Sequence, residues 1–461
     1  MRSCLLGLSL LALSACGARS AIEIGIETGG SSSDSRGGDS SPGAAASGAA
    51  ADGAAASGAA ADGAAAGGAA AGGAAAGGAA AGANSSAGSA QAAAGAGAAG
   101  AEANPTVAKA ISAGSDSTCG LLENGTVWCW GRNDYGQLGN GTTTQSSAPV
   151  QVIGIDSAIS ISAGGAWLPQ NRGNDFYPFN CAVLRDGRVQ CWGRTPEGGT
   201  PTSVPVFVPG LQQAVAVAGG HTHACALLKD GSIQCWGSAE WRSPSNGSTA
   251  TADAPSTVLG IGKATAVVGL GTTFSCAAST EGSVECWGLR TVASGVAASD
   301  WTPLEIPIAG AARATRIAAG YERACAVLSD GGVQCWHGLG SELPVTVPGL
   351  HSAIAVSVGR DHSCALAKGG TIECWGEKEL GNDAWGQIGD RGFVADDRQP
   401  VTISGIRDAI AVSAGDSYTC CLLSDGSAWC WGNNRYGQLG DGAGDSARRD
   451  RNITPVRVRG F

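Results

Sequence analysis

The chain has 461 residues, of which 75 are Gly and 17 are Cys, while charged residues make up 14% and aromatic residues 5%. The net charge is −10, from 28 Lys plus Arg against 38 Asp plus Glu, and this balance lacks the basic excess with which nucleic-acid binders displace counterions, so nucleic acid is excluded as an expected partner. No apolar run approaches the roughly 18 to 20 residues that span a bilayer, so the mature chain is not expected to be transmembrane.

Residues 1–15 have the layout of a secretory signal peptide: a basic start at Arg2, an apolar segment from Leu5 to Leu13, then small residues before a cysteine. Leu13-Ser14-Ala15-Cys16 resembles the lipobox of bacterial lipoproteins. The resemblance implies cleavage before Cys16, a diacylglyceryl group on its thiol and acylation of its new amine. Several acyl chains on one residue anchor stably where one chain would be marginal. Gly17 follows, with no Asp of the kind that retains some lipoproteins at the inner membrane. A lipid-anchored place at the bacterial outer membrane or cell surface is therefore expected, with contact to the membrane through the anchor only.

Residues 16–104 form the lipidated N-terminus and a low-complexity linker, which from Gly29 onward is almost entirely Gly, Ala and Ser with an occasional Asp. It has no side chains with which to build a core, and glycine every few residues costs a helix about 1 kcal/mol each. A disordered spacer is expected, and random-coil scaling gives it a reach of roughly 50 Å.

Residues 105–461 are repetitive, and the cysteines show it. Cys119 and Cys129, Cys181 and Cys191, Cys225 and Cys235, Cys276 and Cys286, Cys325 and Cys335, Cys364 and Cys374, and Cys420 and Cys430 all lie ten apart. A glycine stands six positions after the first cysteine of each pair, and a tryptophan follows the second: Trp130, Trp192, Trp236, Trp287, Trp336, Trp375 and Trp431. In Cys225-Ala-Leu-Leu-Lys-Asp-Gly-Ser-Ile-Gln-Cys235, two short apolar runs flank a turn signal. A three-residue loop ending in a left-handed Gly231 puts Leu228 opposite Ser232, and counting outward puts Cys225 opposite Cys235, within disulfide reach. Seven intra-repeat disulfides follow. Zinc is the weaker reading, because close Cys-x2-Cys pairs and nearby histidines are missing. Export to an oxidising compartment favours the bridges, each closing an 11-residue loop worth roughly 2.8 kcal/mol in the chain-entropy model.

A small-apolar strand ending in glycine, such as Ile111-Ser-Ala-Gly114, precedes each pair, and a strand expected to be opened by proline, such as that at Pro149, follows it. Four short strands repeated seven times predict an all-β fold, a seven-bladed β-propeller of four-stranded antiparallel blades. The units resemble those of the regulator of chromosome condensation repeat family, whose blades end in Trp-Gly and often continue into Tyr-Gly-Gln-Leu-Gly. That continuation stands at Tyr135 to Gly139 and Tyr436 to Gly440, and in altered form at Trp385 to Gly389; repeats two to five lack it. The cysteine pairs, the lipoprotein signal and the acidic balance depart from the founding family and argue against its chromatin role.

No nucleophile elbow, phosphate loop or helical zincin signature is present, and catalysis, cofactors and metal are not expected. His221 with His223 is the sole histidine cluster, and resemblance gives such histidines a structural role. The repeated tryptophans are expected to pack between blades. Loops after Trp-Gly vary from 6 to 24 residues, and a second-repeat insertion carries Trp167, Phe176, Tyr177 and Phe179; with Trp241, Trp301 and Trp385 these aromatics are candidate binding anchors on one face. The expected function is a monomeric, non-catalytic surface lipoprotein binding a protein or glycan. Its alternatives are an exported enzyme at the channel mouth and, by resemblance to secreted propellers that inhibit β-lactamase, an inhibitor of another secreted or surface protein.

Two finer expectations concern ring closure and the odd thiol. Links after the proline strand are short, as in Ile155-Asp-Ser-Ala158, so the proline strand is expected to begin each blade, with Pro455 to Arg459 pairing beside Ala110 to Gly114. Cys421 neighbours Cys420 and faces the opposite side of its strand, so it is expected to stay a buried, reduced thiol.

Overall fold

The computed structural model describes residues 107–165, 178–195, 200–237, 252–268, 274–288, 290–291, 297–298, 304–308, 313–321, 323–338, 343–376, 385–389, 399–443 and 451–461. The signal peptide, Cys16 and the linker lie outside these. The described residues form seven four-stranded antiparallel sheets, each a meander in chain order. In blade 1 the strands are Ala108–Ala113, Ser117–Leu122, Val127–Gly131 and Ser146–Gln151. The same order recurs to blade 7, with Ala409–Ala414, Tyr418–Leu423, Ala428–Asn433 and Arg451–Arg457. The molecule is a seven-bladed propeller with one cysteine pair per blade.

The hairpins take the register read from the sequence. Leu228 N–H donates to Ser232 O, Gly231 has φ 86°, and Cys225 stands opposite Cys235. All seven disulfides are formed, with Cα atoms 4.0 to 4.1 Å apart. Cys421 is buried and free, opposite Trp429, and burial holds its thiol far above the ordinary range, which keeps it protonated and slow to react.

Consecutive strand residues point to opposite faces, so the Cys-Trp dipeptide puts a disulfide on one face of every blade and an indole on the other. This explains why the two recur together. In each interface between consecutive blades the disulfide of one blade meets the tryptophan of the next: Cys119 and Cys129 with Trp192, Cys364 and Cys374 with Trp431, and around the ring Cys420 and Cys430 with Trp130. Six of these indoles are among the largest fully buried side chains. Burying a side chain of 150 to 250 Å² is worth several kcal/mol at about 25 cal/mol per Å², so these rings carry much of the inter-blade packing.

The expected ring closure is corrected. The proline strand ends each blade: Arg451–Arg457 pairs with Ala428–Asn433 in blade 7, whereas Ala108–Ala113 begins blade 1 beside Ser117–Leu122. The error lay in reserving the longer link for the step between blades. Four strands span about 14 Å, while the six residues 152–157 reach about 20 Å when extended, so the short link suffices. It is also anchored, since Val152 N–H donates to Val127 O, Ala158 N–H donates to Gly125 O, and Val152 and Ile155 are buried against Trp192.

No strand is therefore exchanged where the chain ends meet, and side-chain bonds close the ring instead. Ala113 N–H donates to Ser413 Oγ at 2.8 Å, Tyr418 Oη donates to Ser117 O at 2.8 Å, and Trp130 Nε1 donates to Gln438 O at 3.0 Å. The Phe461 ring packs 5.3 Å from Trp130.

Candidate functional site

The meander sends the turns between first and second strands, and the loops between third and fourth, to one end of the propeller. The two-to-three hairpins and the links between blades go to the other. The hairpin end is regular: Asp186, Asp230 and Asp425 each accept a hydrogen bond from the backbone two residues on. The carboxyls are held below the ordinary range, by the Ser232 and Ser427 hydroxyls and then the backbone at Asp230 and Asp425, and by the Arg188 backbone and then its side chain at Asp186. Irregular sequence is confined to the loop end.

Where they are described, the loops are built rigidly. Asn133 Oδ1 accepts from Leu138 N–H, while its amide donates to Thr142 O and Thr144 O. Asn434 does the same for Leu439 N–H in blade 7. Each Tyr-Gly-Gln-Leu-Gly turn leans on the next blade, because the Gln137, Gln387 and Gln438 carbonyls accept the indole N–H of Trp192, Trp431 and Trp130. Sequence reasoning missed this contact, although the absence of the motif from repeats two to five correlates with it: the buried indole N–H groups of Trp236, Trp287 and Trp336, which follow blades 2, 3 and 4, have no partner among the described residues.

At the channel mouth the first-to-second turns bring charge together. Arg132 donates to Asp116 at 3.3 Å and to Asp134 at 2.7 Å, and its guanidinium lies 4.7 Å from the Tyr436 ring centroid. Burial, then the Asp416 carboxylate, pushes the Asp116 carboxyl up to about 6 against the pull of Arg132. Burial likewise raises Asp361, opposed by Arg360 3.8 Å away and reinforced by Asp416. Arg360 in turn lies 5.2 Å from the Tyr321 ring, which packs 5.1 Å from His221. The mouth thus presents carboxylates, guanidinium groups and aromatic rings, the mixture that recognises polar partners. Its acids were legible as a recurrence after the glycine-ended strand, in Gly114-Ser-Asp116, Gly359-Arg-Asp361 and Gly415-Asp416.

The candidate aromatics fare unevenly. Trp167, Phe176, Tyr177, Trp241 and Trp301 lie outside the described residues. Trp385 is half-buried at the head of the altered turn, where its backbone N–H donates to Gln387 Oε1 at 3.2 Å. Phe179 is not a loop anchor: it begins the second strand of blade 2 and is 1% exposed, with its ring against Gly164. The insertion, expected to run from Gly165 to Asn180, gives way to strand at Phe179, two residues before its expected end. His223 is buried 2.6 Å from Ser275 Oγ, and burial depresses its pKa to about 4, so it is neutral and structural.

This is a seven-bladed, disulfide-stapled propeller. Models of the regulator of chromosome condensation (RCC1) repeat match residues 108–137, 214–240 and 409–438, and a second form matches 124–166 and 425–461, so the chain carries RCC1 repeats. Over 124 residues, 25% of the chain, it is 31% identical to the mouse E3 ubiquitin-protein ligase HERC2, of which it covers 2%. Over 345 residues, 70% of the chain, it is 26% identical to the Arabidopsis thaliana mitochondrial RCC1 domain-containing protein RUG3, of which it covers 64%. It therefore spans less than two thirds of either relative. The structure of Prp20p from Saccharomyces cerevisiae, described with its binding properties to Gsp1p and histones, superposes with a TM-score of 0.54 at 19% identity, over 67% of this chain and 80% of that one.

Proposed function

We propose that the protein is a non-catalytic, lipid-anchored binding protein that holds its propeller on a flexible tether at the bacterial outer membrane or cell surface and engages a protein or glycan partner with its loop end. The observation that carries this reading is the asymmetry of the two ends. One is a repeated set of Asp-Gly-type hairpins, while the other gathers the variable loops around rigid turns and a mouth of paired Asp, Arg and aromatic groups. A scaffold that varies at one end only is built to present that end. Prp20p, a protein of like fold, binds other proteins, which supports a protein partner.

Two measurements test it. Cys16→Ser is expected to move the protein from the membrane fraction to the soluble fraction, and an unchanged distribution rules out lipid anchoring. Full-length protein cross-linked in native cells is expected to capture a partner that Arg360→Ala with Asp361→Ala loses and Asp230→Ala, on the hairpin end, keeps. Loss through the hairpin end alone overturns the assignment of the face.

A further inference from the structure

Each interface between consecutive blades can be tied by three devices, and residue identities show which interface has which. The first is a serine opposite the first cysteine, whose Oγ accepts a backbone N–H from the first strand of the next blade. Ser112 holds Ala163, Ser162 holds Gly219, Ser357 holds Ala414 and Ser413 holds Ala113, all at 2.8 to 2.9 Å. The equivalents in blades 3, 4 and 5 are Ala218, Val268 and Ala318, which have no hydroxyl. The second device is the glutamine turn, which among the described residues stands in blades 1, 6 and 7.

The third is a pair between the residue that opens the second strand of one blade and the residue that faces the tryptophan in the next. Tyr418 meets Thr118 at 2.9 Å, His362 meets Thr419 at 2.8 Å, His223 meets Ser275 at 2.6 Å, and Arg323 meets Ser363 at 3.5 Å. Where the opening residue is Phe, the partner is Ala: Phe179 packs with Ala224, and Phe274 with Ala324. In these six interfaces a polar opener is matched by a hydroxyl and an apolar opener by a methyl, while between blades 1 and 2 the opener Ser117 is matched by the amide residue Asn180.

By these identities the interface between blades 7 and 1, where the chain ends meet, has all three ties, as does that between blades 6 and 7. The interface between blades 4 and 5 has none: Val268 replaces the serine, blade 4 lacks the glutamine turn, and Phe274 faces Ala324. Among the described residues the apolar cluster of Phe274, Ile317 and Trp336 remains there, with the link bond from Ala314 N–H to Gly282 O at 3.2 Å and the bond from Arg313 Nη1 to Glu281 O at 2.9 Å on the hairpin side. Buried hydrogen bonds specify one arrangement, whereas apolar packing on its own specifies it less sharply. The disulfides lie within blades, so an interface can part while every blade stays stapled. We propose that the propeller opens between blades 4 and 5, remote in the chain from its two ends, and that the end-to-end interface is a fixed part of the ring.

Hydrogen exchange on the full-length, oxidised protein tests this. Amides of the first strand of blade 5, 314–319, are expected to exchange at least tenfold faster than those of 108–113 and 409–414, through an opening that leaves the hairpin amides of blades 4 and 5 protected. The double change Phe274→His with Ala324→Ser, a copy of the His223–Ser275 pair, is expected to slow exchange at 314–319 at least threefold without altering 108–113. Val268→Ser supplies the missing hydroxyl by a second route should the double variant not fold. Equal or greater protection at 314–319 than at 108–113 in the unaltered protein overturns the proposal whatever the variants do, and so does unchanged exchange in a folded variant.

Discussion

Gly440 offers a sharp test of the disulfide-to-tryptophan interfaces. It closes the glutamine turn of blade 7 with φ +70°, and a Cβ there would lie 2.6 Å from Trp130 Nε1 and 2.9 Å from Val458 Cγ1. Gly440→Ala therefore carries two costs. A left-handed alanine loses about 1 kcal/mol, and forcing a methyl group into a filled core costs about 1–3 kcal/mol, with the Trp130 to Gln438 bond also at risk. Gly349 isolates the first cost, since its φ is +82° but nothing lies within 4 Å of its would-be Cβ. Gly349→Ala should thus lose about 1 kcal/mol and Gly440→Ala about 2–4. Denaturant unfolding followed by near-ultraviolet circular dichroism reads both, and Gly440→Ala should in addition perturb the tryptophan band of the native state. If the two variants lose equal stability, the turn does not bear on the next blade's indole and the account of ring closure is wrong.

Trp431→Phe should cost about 1–2 kcal/mol more than Trp336→Phe in the same unfolding assay, because the first loses a bond to Gln387 O and the second removes a buried donor that has no partner; equal losses contradict the assignment. Asp116 binds its proton more tightly folded than unfolded, so its contribution to stability is fully present below about pH 4 and is lost as pH rises to about 6, by up to roughly 3 kcal/mol for a side chain that is 20% exposed. Asp116→Asn should flatten the stability profile between pH 4 and 6, and an unchanged slope refutes the raised carboxyl. Alkylating the denatured, unreduced protein should label Cys421 alone among residues 105–461; label on Cys420, or on many cysteines, defeats the register or the disulfides respectively.

Much of the propeller was legible because its signals are periodic. The glycine fixed six positions after each first cysteine set the hairpin register, and register alone placed Cys225 opposite Cys235 and left Cys421 unpaired. Strand order was misread because loop length was taken to measure distance between blades. A six-residue link is long enough to cross a blade, and the burial of Val152 and Ile155 anchors it. The site was less legible. Phe179 follows Phe176 and Tyr177 in one aromatic run, and only the strand boundary shows that its ring belongs to the core. The acids Asp116, Asp361 and Asp416 recur after the glycine-ended strand, but their turns are about 50 and 250 residues apart and the ring alone makes them neighbours, so the recurrence marks the residues without showing that they interact.

Because each blade shows sulfur on one side and an indole on the other, the array has a direction. An incomplete set of blades would end in two unlike, mutually fitting surfaces, and two such sets would join head to tail as readily as one set closes on itself. A nicked or truncated chain is thereby biased towards rejoining its missing portion or pairing with a second fragment. Since no strand is shared between the chain ends, the polypeptide's beginning is topologically interchangeable with any short link between blades. Circular permutation at residues 152–157, with the old ends joined, should preserve every blade intact.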